Sequence, residues 1–158
     1  MNLLQVSVAG SVEANAGSLS IGAGTVIGGD LQVHDLSVAL EENRICGATI
    51  RGNVEVHNNA IPIKVGADLP DAPGLIPSDF CEGNTVGGNL HIHNNSSTTS
   101  VDRNSVAGNL EVHNNTGQTE ATNNAVAGRM FCHSNQSIAG GPNVATANAV
   151  GQCSQAMP

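Results

Sequence analysis

Residues Asn84 to Asn95 read NTVGGNLHIHNN, and the fold follows from the way this stretch returns. It recurs as NSVAGNLEVHNN from Asn104 to Asn115 and as NAVAGRMFCHSN from Asn124 to Asn135, each step twenty residues long. Fainter copies lie upstream: TIRGNVEVHNN at Thr49 to Asn59, VIGGDLQVHD at Val26 to Asp35, and SVAGSVEANAG at Ser7 to Gly17. Self-similarity at a short fixed period marks stacked units, each burying its apolar face on its neighbours.

Aligned on Gly-Asn-Leu, the copies give apolar columns. One holds Val8, Ile27, Ile50, Val86, Val106 and Val126, with Val150 expected to continue it. The next holds Val12, Leu31, Val54, Leu90, Leu110 and Met130; two residues on come Ala14, Val33, Val56, Ile92, Val112 and Cys132. Alternation of period two is the mark of strands with one face turned inward. A fourth inward position is expected at Val101 and Ala121, and at Leu19 and Leu40.

The repeats are spaced 19, 23, 36, 20, 20 and about 24 residues. Helical repeats of that length need apolar residues three and four apart, and glycine inside a helix costs about 1 kcal/mol. Here glycines precede every strand, which rejects helices. A left-handed β-helix favours an apolar residue at every sixth position; counting from Val86 gives Ile92, then Thr98 and Asn104, so that register fails. The reading is an all-β, single-stranded parallel β-helix, expected to be right-handed. It has six to seven coils of 19–24 residues and spans 1–158 as one domain.

Two interruptions stand out. From 60 to 82 lie four of the six prolines, Pro62, Pro70, Pro73 and Pro77, so an insertion without a regular strand ladder is expected. Its Ile61, Ile63, Val65, Leu69, Leu75, Ile76 and Phe80 suggest that it packs on the solenoid or on a partner. Leu36 to Ile45 reads as a shorter lateral loop, and 140–158 as a C-terminal cap.

Composition narrows the function. Charged residues are 11% of the chain, against roughly 25% in an average domain, and the formal net charge is −8. The cations Arg44, Arg51, Lys64, Arg103 and Arg129 are scattered and form no basic stripe, so nucleic acid is not an expected partner. No apolar run approaches the roughly 20 residues of a membrane helix. Met1 leads directly into repeat-like sequence, so no signal peptide is expected, and Met1 reads as an addition to a mature or excised segment.

None of the four cysteines forms a CxxC pair. Adjacent coils lie about 4.8 Å apart, close to the α-carbon separation of a disulfide. The positions therefore predict Cys46–Cys81 across the insertion and Cys132–Cys153 at the C-terminal end; the alternative is four buried free thiols. Disulfides imply an oxidising, extracellular or cell-surface setting.

The outward rows carry the candidate sites. One row is Glu13, Gln32, Glu55, His91, Glu111 and Phe131; two residues on come Asn15, His34, His57, His93, His113 and His133. After these run Asn58, Asn94 and Asn114, then Asn59, Asn95, Asn115 and Asn135. Asparagine tolerates the left-handed conformation of a sharp corner, and amides stacked at strand spacing bond one another. The same residues include glycosylation sequons at Asn94, Asn95, Asn114 and Asn135. His57, His91, His93 and His113, with Glu55 and Glu111, fall on one patch, a ligand set that zinc or copper favours. The other reading is a solvated column copied because the repeat was copied.

The NTVGGNLxVxNN repeats, closed by Gly151-Gln152-Cys153, resemble those of secreted actinobacterial β-helix proteins of undefined function, over Cys46 to Cys153. VIGGDLQV, Val26 to Val33, also resembles the repeat of bactofilins, which polymerise end to end. Neither resemblance supplies catalytic residues.

The leading expectation is an extracellular structural or interaction module. It would be a rigid rod presenting ordered His and Asn columns for adhesion or filament assembly, by self-association or with a surface glycan or protein. A zinc- or copper-binding protein centred on the histidines is the alternative. A polysaccharide-active β-helix comes third, since no unique carboxylate pair stands out and aromatic platforms are scarce.

Overall fold

The computed structural model describes residues 1–38, 43–67 and 81–156. They wind into a parallel β-solenoid of about seven coils with three seven-stranded sheets and almost no helix. Sheet A contains Asn2–Leu3, Ser20–Ile21, Asn43–Ile45, Ile63–Gly66, Thr99–Asp102, Gln118–Thr122 and Ser137–Gly140. Sheet B contains Ser7–Val8, Val26–Ile27, Thr49–Ile50, Thr85–Val86, Ser105–Val106, Ala125–Val126 and Val144–Ala145. Sheet C contains Val12–Asn15, Leu31–His34, Val54–His57, Leu90–His93, Leu110–His113, Arg129–His133 and Asn148–Gly151.

Every described pairing is parallel, strand on the equivalent strand of the next coil. The apolar columns therefore stack. Leu31, Val54, Leu90, Leu110 and Met130 form one buried row, and Val33, Val56, Ile92, Val112 and Cys132 the next. Aliphatic side chains supply most of the apolar interior, with Met130 and the cysteines, which is why a chain with no Trp or Tyr still builds a core. Each fully buried Leu or Ile contributes about 1.5–3 kcal/mol of transfer free energy.

Four expectations need adjusting. Ile63–Gly66, inside the 60–82 insertion, is a strand of sheet A between Asn43–Ile45 and Thr99–Asp102. Proline count gave way to apolar alternation: Ile63 and Val65 are buried, and Pro62 lies just before the strand. Ile61 packs against the core, and residues 68–80 of that segment, with Leu69, Pro70, Pro73, Leu75, Ile76, Pro77 and Phe80, lie outside the described residues. Within Leu36 to Ile45, Leu36 is buried and Asn43–Ile45 joins sheet A, while Leu40 is not among the described residues. Val101 and Ala121 do point inward, but Ile21 takes that position in its coil and Leu19 is buried two residues earlier.

The last adjustment concerns the C-terminal end. Val126 pairs with Ala145 and not with Val150, a spacing of 19 residues. Val150 falls instead beside Phe131 in an outward row and is 43% exposed. Stretch 140–158 thus begins with the strands of a seventh coil, and a 3₁₀ helix, Gln152–Ala156, follows them.

Both expected disulfides are present, with α-carbons 5.6 Å apart in Cys46–Cys81 and 5.0 Å in Cys132–Cys153. The second ties the 3₁₀ helix to the inward row of sheet C.

Candidate functional site

Sheet C presents the site. Its strands alternate buried Leu or Val with outward side chains, so one outward residue recurs at the same height of every coil. His34, His57, His93, His113 and His133 occupy that position. Their rings stack face to face with centroids 5.0, 5.0, 5.0 and 4.9 Å apart and interplanar angles of 9°, 2°, 3° and 2°. The interval is the strand spacing itself.

The neighbouring outward row steers the rings. His34 places Nδ1 at 2.8 Å from Asp35 Oδ2 and Nε2 at 3.0 Å from Glu13 Oε1. His93 donates from Nε2 to Glu55 Oε1 at 3.0 Å, and Gln32 Nε2 donates to Glu55 Oε2 at 3.1 Å. In a neutral ring that donation places the proton on Nε2; Nδ1 of His93 and Nδ1 of His113 are both buried without a hydrogen-bond partner. His91 stands in the carboxylate row, its Nε2 3.9 Å from Glu111 Oε2, too long for a hydrogen bond.

Protonation along the stack is uneven. Burial holds His57 and His113 below the ordinary imidazole value, with neighbouring imidazoles adding to the effect. The hydrogen bond to Asp35, then that to Glu13, holds His34 above it. The His93 hydrogen bond holds the Glu55 carboxyl below its ordinary range.

The sequence-derived metal set is brought together: His57, His91, His93 and His113 share adjacent coils with Glu55 and Glu111. Its geometry is that of a stack. Ring lone pairs lie in the ring planes, so parallel rings aim them side by side. Zinc–nitrogen bonds of about 2.0–2.1 Å need converging donors. Among the described residues no three His, Cys, Asp or Glu side chains are placed to hold one ion.

The asparagines split into two roles. Asn58, Asn94 and Asn114 turn the corner after sheet C with φ of 56°, 55° and 54°, the left-handed region that asparagine enters most readily. Asn59, Asn95, Asn115 and Asn135 are buried instead. The Asn59 oxygen accepts from the Leu36 N–H at 3.0 Å, and each later oxygen accepts from the amide of the previous coil's asparagine, at 2.9 Å from Asn59 to Asn95, 3.1 Å from Asn95 to Asn115 and 2.8 Å from Asn115 to Asn135. Gln152 closes the ladder by accepting from Asn135 Nδ2 at 3.1 Å. The sequons at Asn95 and Asn135 therefore lie on amides committed to the interior.

Two further ladders escaped the sequence reading. Buried Asn84, Asn104, Asn124 and Asn143 join the corner between sheets A and B, each link 3.0 Å. Asp30, Asn53, Asn89 and Asn109 run the opposite way at the corner between sheets B and C, where each oxygen accepts the next coil's backbone N–H. The signal was present: an asparagine two residues before the inward Val86, Val106, Val126 and Ala145 of sheet B, and another just before the sheet C strands that begin at Val54, Leu90 and Leu110.

No protein-family model, curated protein or solved structure matches this chain. The functional reading therefore rests on the geometry alone. No helix among the described residues is long and apolar enough to cross a membrane.

Proposed function

We propose that the chain is an extracellular structural or interaction module, a rigid β-solenoid rod that presents ordered side-chain columns for adhesion or assembly. The observation that carries this reading is the five-membered imidazole stack, held at 4.9–5.0 Å intervals on coils pinned by asparagine ladders. A surface whose side chains repeat at one interval matches a partner that repeats likewise, such as a polymer or an array of copies. The two disulfides support the extracellular setting.

Sedimentation velocity over a concentration series, paired with adhesion of coated beads to cell envelopes, tests the reading. The wild-type chain should self-associate or adhere, and a His57→Ala/His93→Ala/His113→Ala variant that keeps the β spectrum should lose it. Neither behaviour in the wild type, or the same behaviour in the variant, would refute it. Elemental analysis of the same samples addresses the alternative. Stoichiometric zinc or copper that disappears in the variant would replace the rod reading with a metal site.

A further inference from the structure

The outward rows of sheet C change character at one place. Glu13, Gln32, Glu55, His91 and Glu111 give way to Phe131 and then Val150 in the same row, 38% and 43% exposed. Two residues earlier on the strand, the ladder of Asp30, Asn53, Asn89 and Asn109 ends because Arg129 follows. Its backbone N–H still donates to Asn109 Oδ1 at 2.9 Å, and its side chain lies exposed. These five residues, Asn109, Glu111, Arg129, Phe131 and Val150, line a depression of about 270 Å³. The Phe131 ring is braced by His133, tilted 46° at a centroid distance of 4.8 Å. Arg129 makes no ion pair among the described residues.

We infer that this depression is a binding subsite for one neutral pyranose unit of a glycan, a ligand assignment that rests on the interaction-module reading. An apolar ring platform ringed by a few polar groups is the usual composition of a small-ligand site. A pyranose matches it with one face of C–H bonds for Phe131 and Val150 and a rim of hydroxyls. Glu111 accepts from such hydroxyls, the Arg129 guanidinium donates to them, and the Asn109 amide serves as donor. The volume suits one ring and falls just short of the roughly 300 Å³ at which drug-sized pockets begin. Charge decides between neutral and acidic sugars. Arg129 and Glu111 cancel locally, and the net charge of −8 repels a polyanion.

Phenylalanine ring signals in NMR provide the test, because the chain has only two, Phe80 and Phe131. Neutral oligosaccharides of glucose, mannose and N-acetylglucosamine are titrated, with oligogalacturonate as the charged comparison. At least one neutral sugar should shift the Phe131 signals saturably, with Kd of about 1 mM. Phe131→Ala should weaken binding roughly tenfold or more, while Phe131→Tyr stays within about threefold. Phe131 signals unmoved by every neutral sugar, tighter binding of oligogalacturonate, or unchanged affinity in a folded Phe131→Ala variant would each overturn the inference. A chain that adheres or assembles while its Phe131 signals stay unmoved overturns the subsite alone.

Discussion

Asn135 Oδ1 accepts two hydrogen bonds from Asn115, one from its backbone N–H at 3.1 Å and one from its side-chain amide at 2.8 Å. The Asn115 amide also donates to the Ile92 carbonyl of the coil before at 3.2 Å. One buried side chain thus ties three coils. Asn115→Leu would leave the Asn95 backbone N–H and one of the two Asn95 amide hydrogens buried without partners, while the other keeps the Val56 carbonyl at 3.1 Å. At about 1–3 kcal/mol for each orphaned donor, a loss of at least ~2 kcal/mol is expected in urea unfolding. Asn114→Gly, one residue away at φ 54°, should cost under about 1 kcal/mol. Equal effects at the two positions would refute the division of roles.

The imidazole stack predicts an acid-sensitive fold. His57 and His113 are held below 6.5, so as pH falls through 6.5 the unfolded chain takes up their protons first and stability drops. His34 acts in the opposite sense. Its contribution is complete below 6.5 and fades as pH rises through its elevated native value. The carboxylates beside His34 are exposed and screened by solvent, so the two partly buried rings set the sign and Tm should fall between about pH 7.5 and pH 5.5. His57→Gln should flatten that slope and His34→Gln should steepen it. Calorimetry of the three proteins over this range checks the signs, and a slope indifferent to both substitutions would sink the account.

The disulfides make a separate prediction. Their sequence separations are 35 and 21 residues, for which the chain-entropy model gives about 3–4 kcal/mol each. Thiol titration of the native protein should find no free cysteine among the four. Cys132→Ser/Cys153→Ser should lower stability by about that amount and speed hydrogen exchange first in Gln152–Ala156, the helix it tethers. Exchange that speeds uniformly along the solenoid would show that the bond does not anchor that helix.

Gly108 sits where a side chain cannot. A Cβ there would press on Asn89 Oδ1 and lie 2.7 Å from the Gly88 carbonyl oxygen. Gly108→Ala is therefore expected to cost about 1–3 kcal/mol by overpacking, although the backbone itself would accept alanine. Gly10, with nothing within 4 Å of a built Cβ, is the matched control, and Gly10→Ala should be nearly neutral. A reversed order in thermal unfolding would refute the steric reading.

How far the sequence revealed this arrangement depends on the periodicity of each part. The inward rows and the histidine column recur at one offset, so Val54, Leu90, Leu110 and His57, His93, His113 were placed without coordinates. The disulfide partners followed from coil spacing. The register of the last coil did not, because Val150 looked like a core residue while buried Asn143, bonded to Asn124, was setting the alignment. The ladders through Asn84 and through Asn53 recur at the same period, but an asparagine's position alone does not tell whether its amide bonds the next coil, and they went unread. The strand Ile63–Gly66 was hidden by prolines around it. Ring orientation, which decides what the histidines can coordinate, is set by contacts with Glu13, Asp35 and Glu55 and has no periodic signature.

The asparagine ladders have a consequence for how such a molecule can grow. Asn59 and Asn95 are 36 residues apart in sequence, and Asn95 and Asn115 only 20, yet the amide links are 2.9 and 3.1 Å. Coil height is thus indifferent to the length of chain between anchor points. A gene can duplicate twenty codons and lengthen the rod by one strand spacing, about 4.8 Å. It can equally lodge foreign sequence between two anchors without shifting any residue on sheet C. Length and decoration evolve independently, and the display surface keeps its pitch through both.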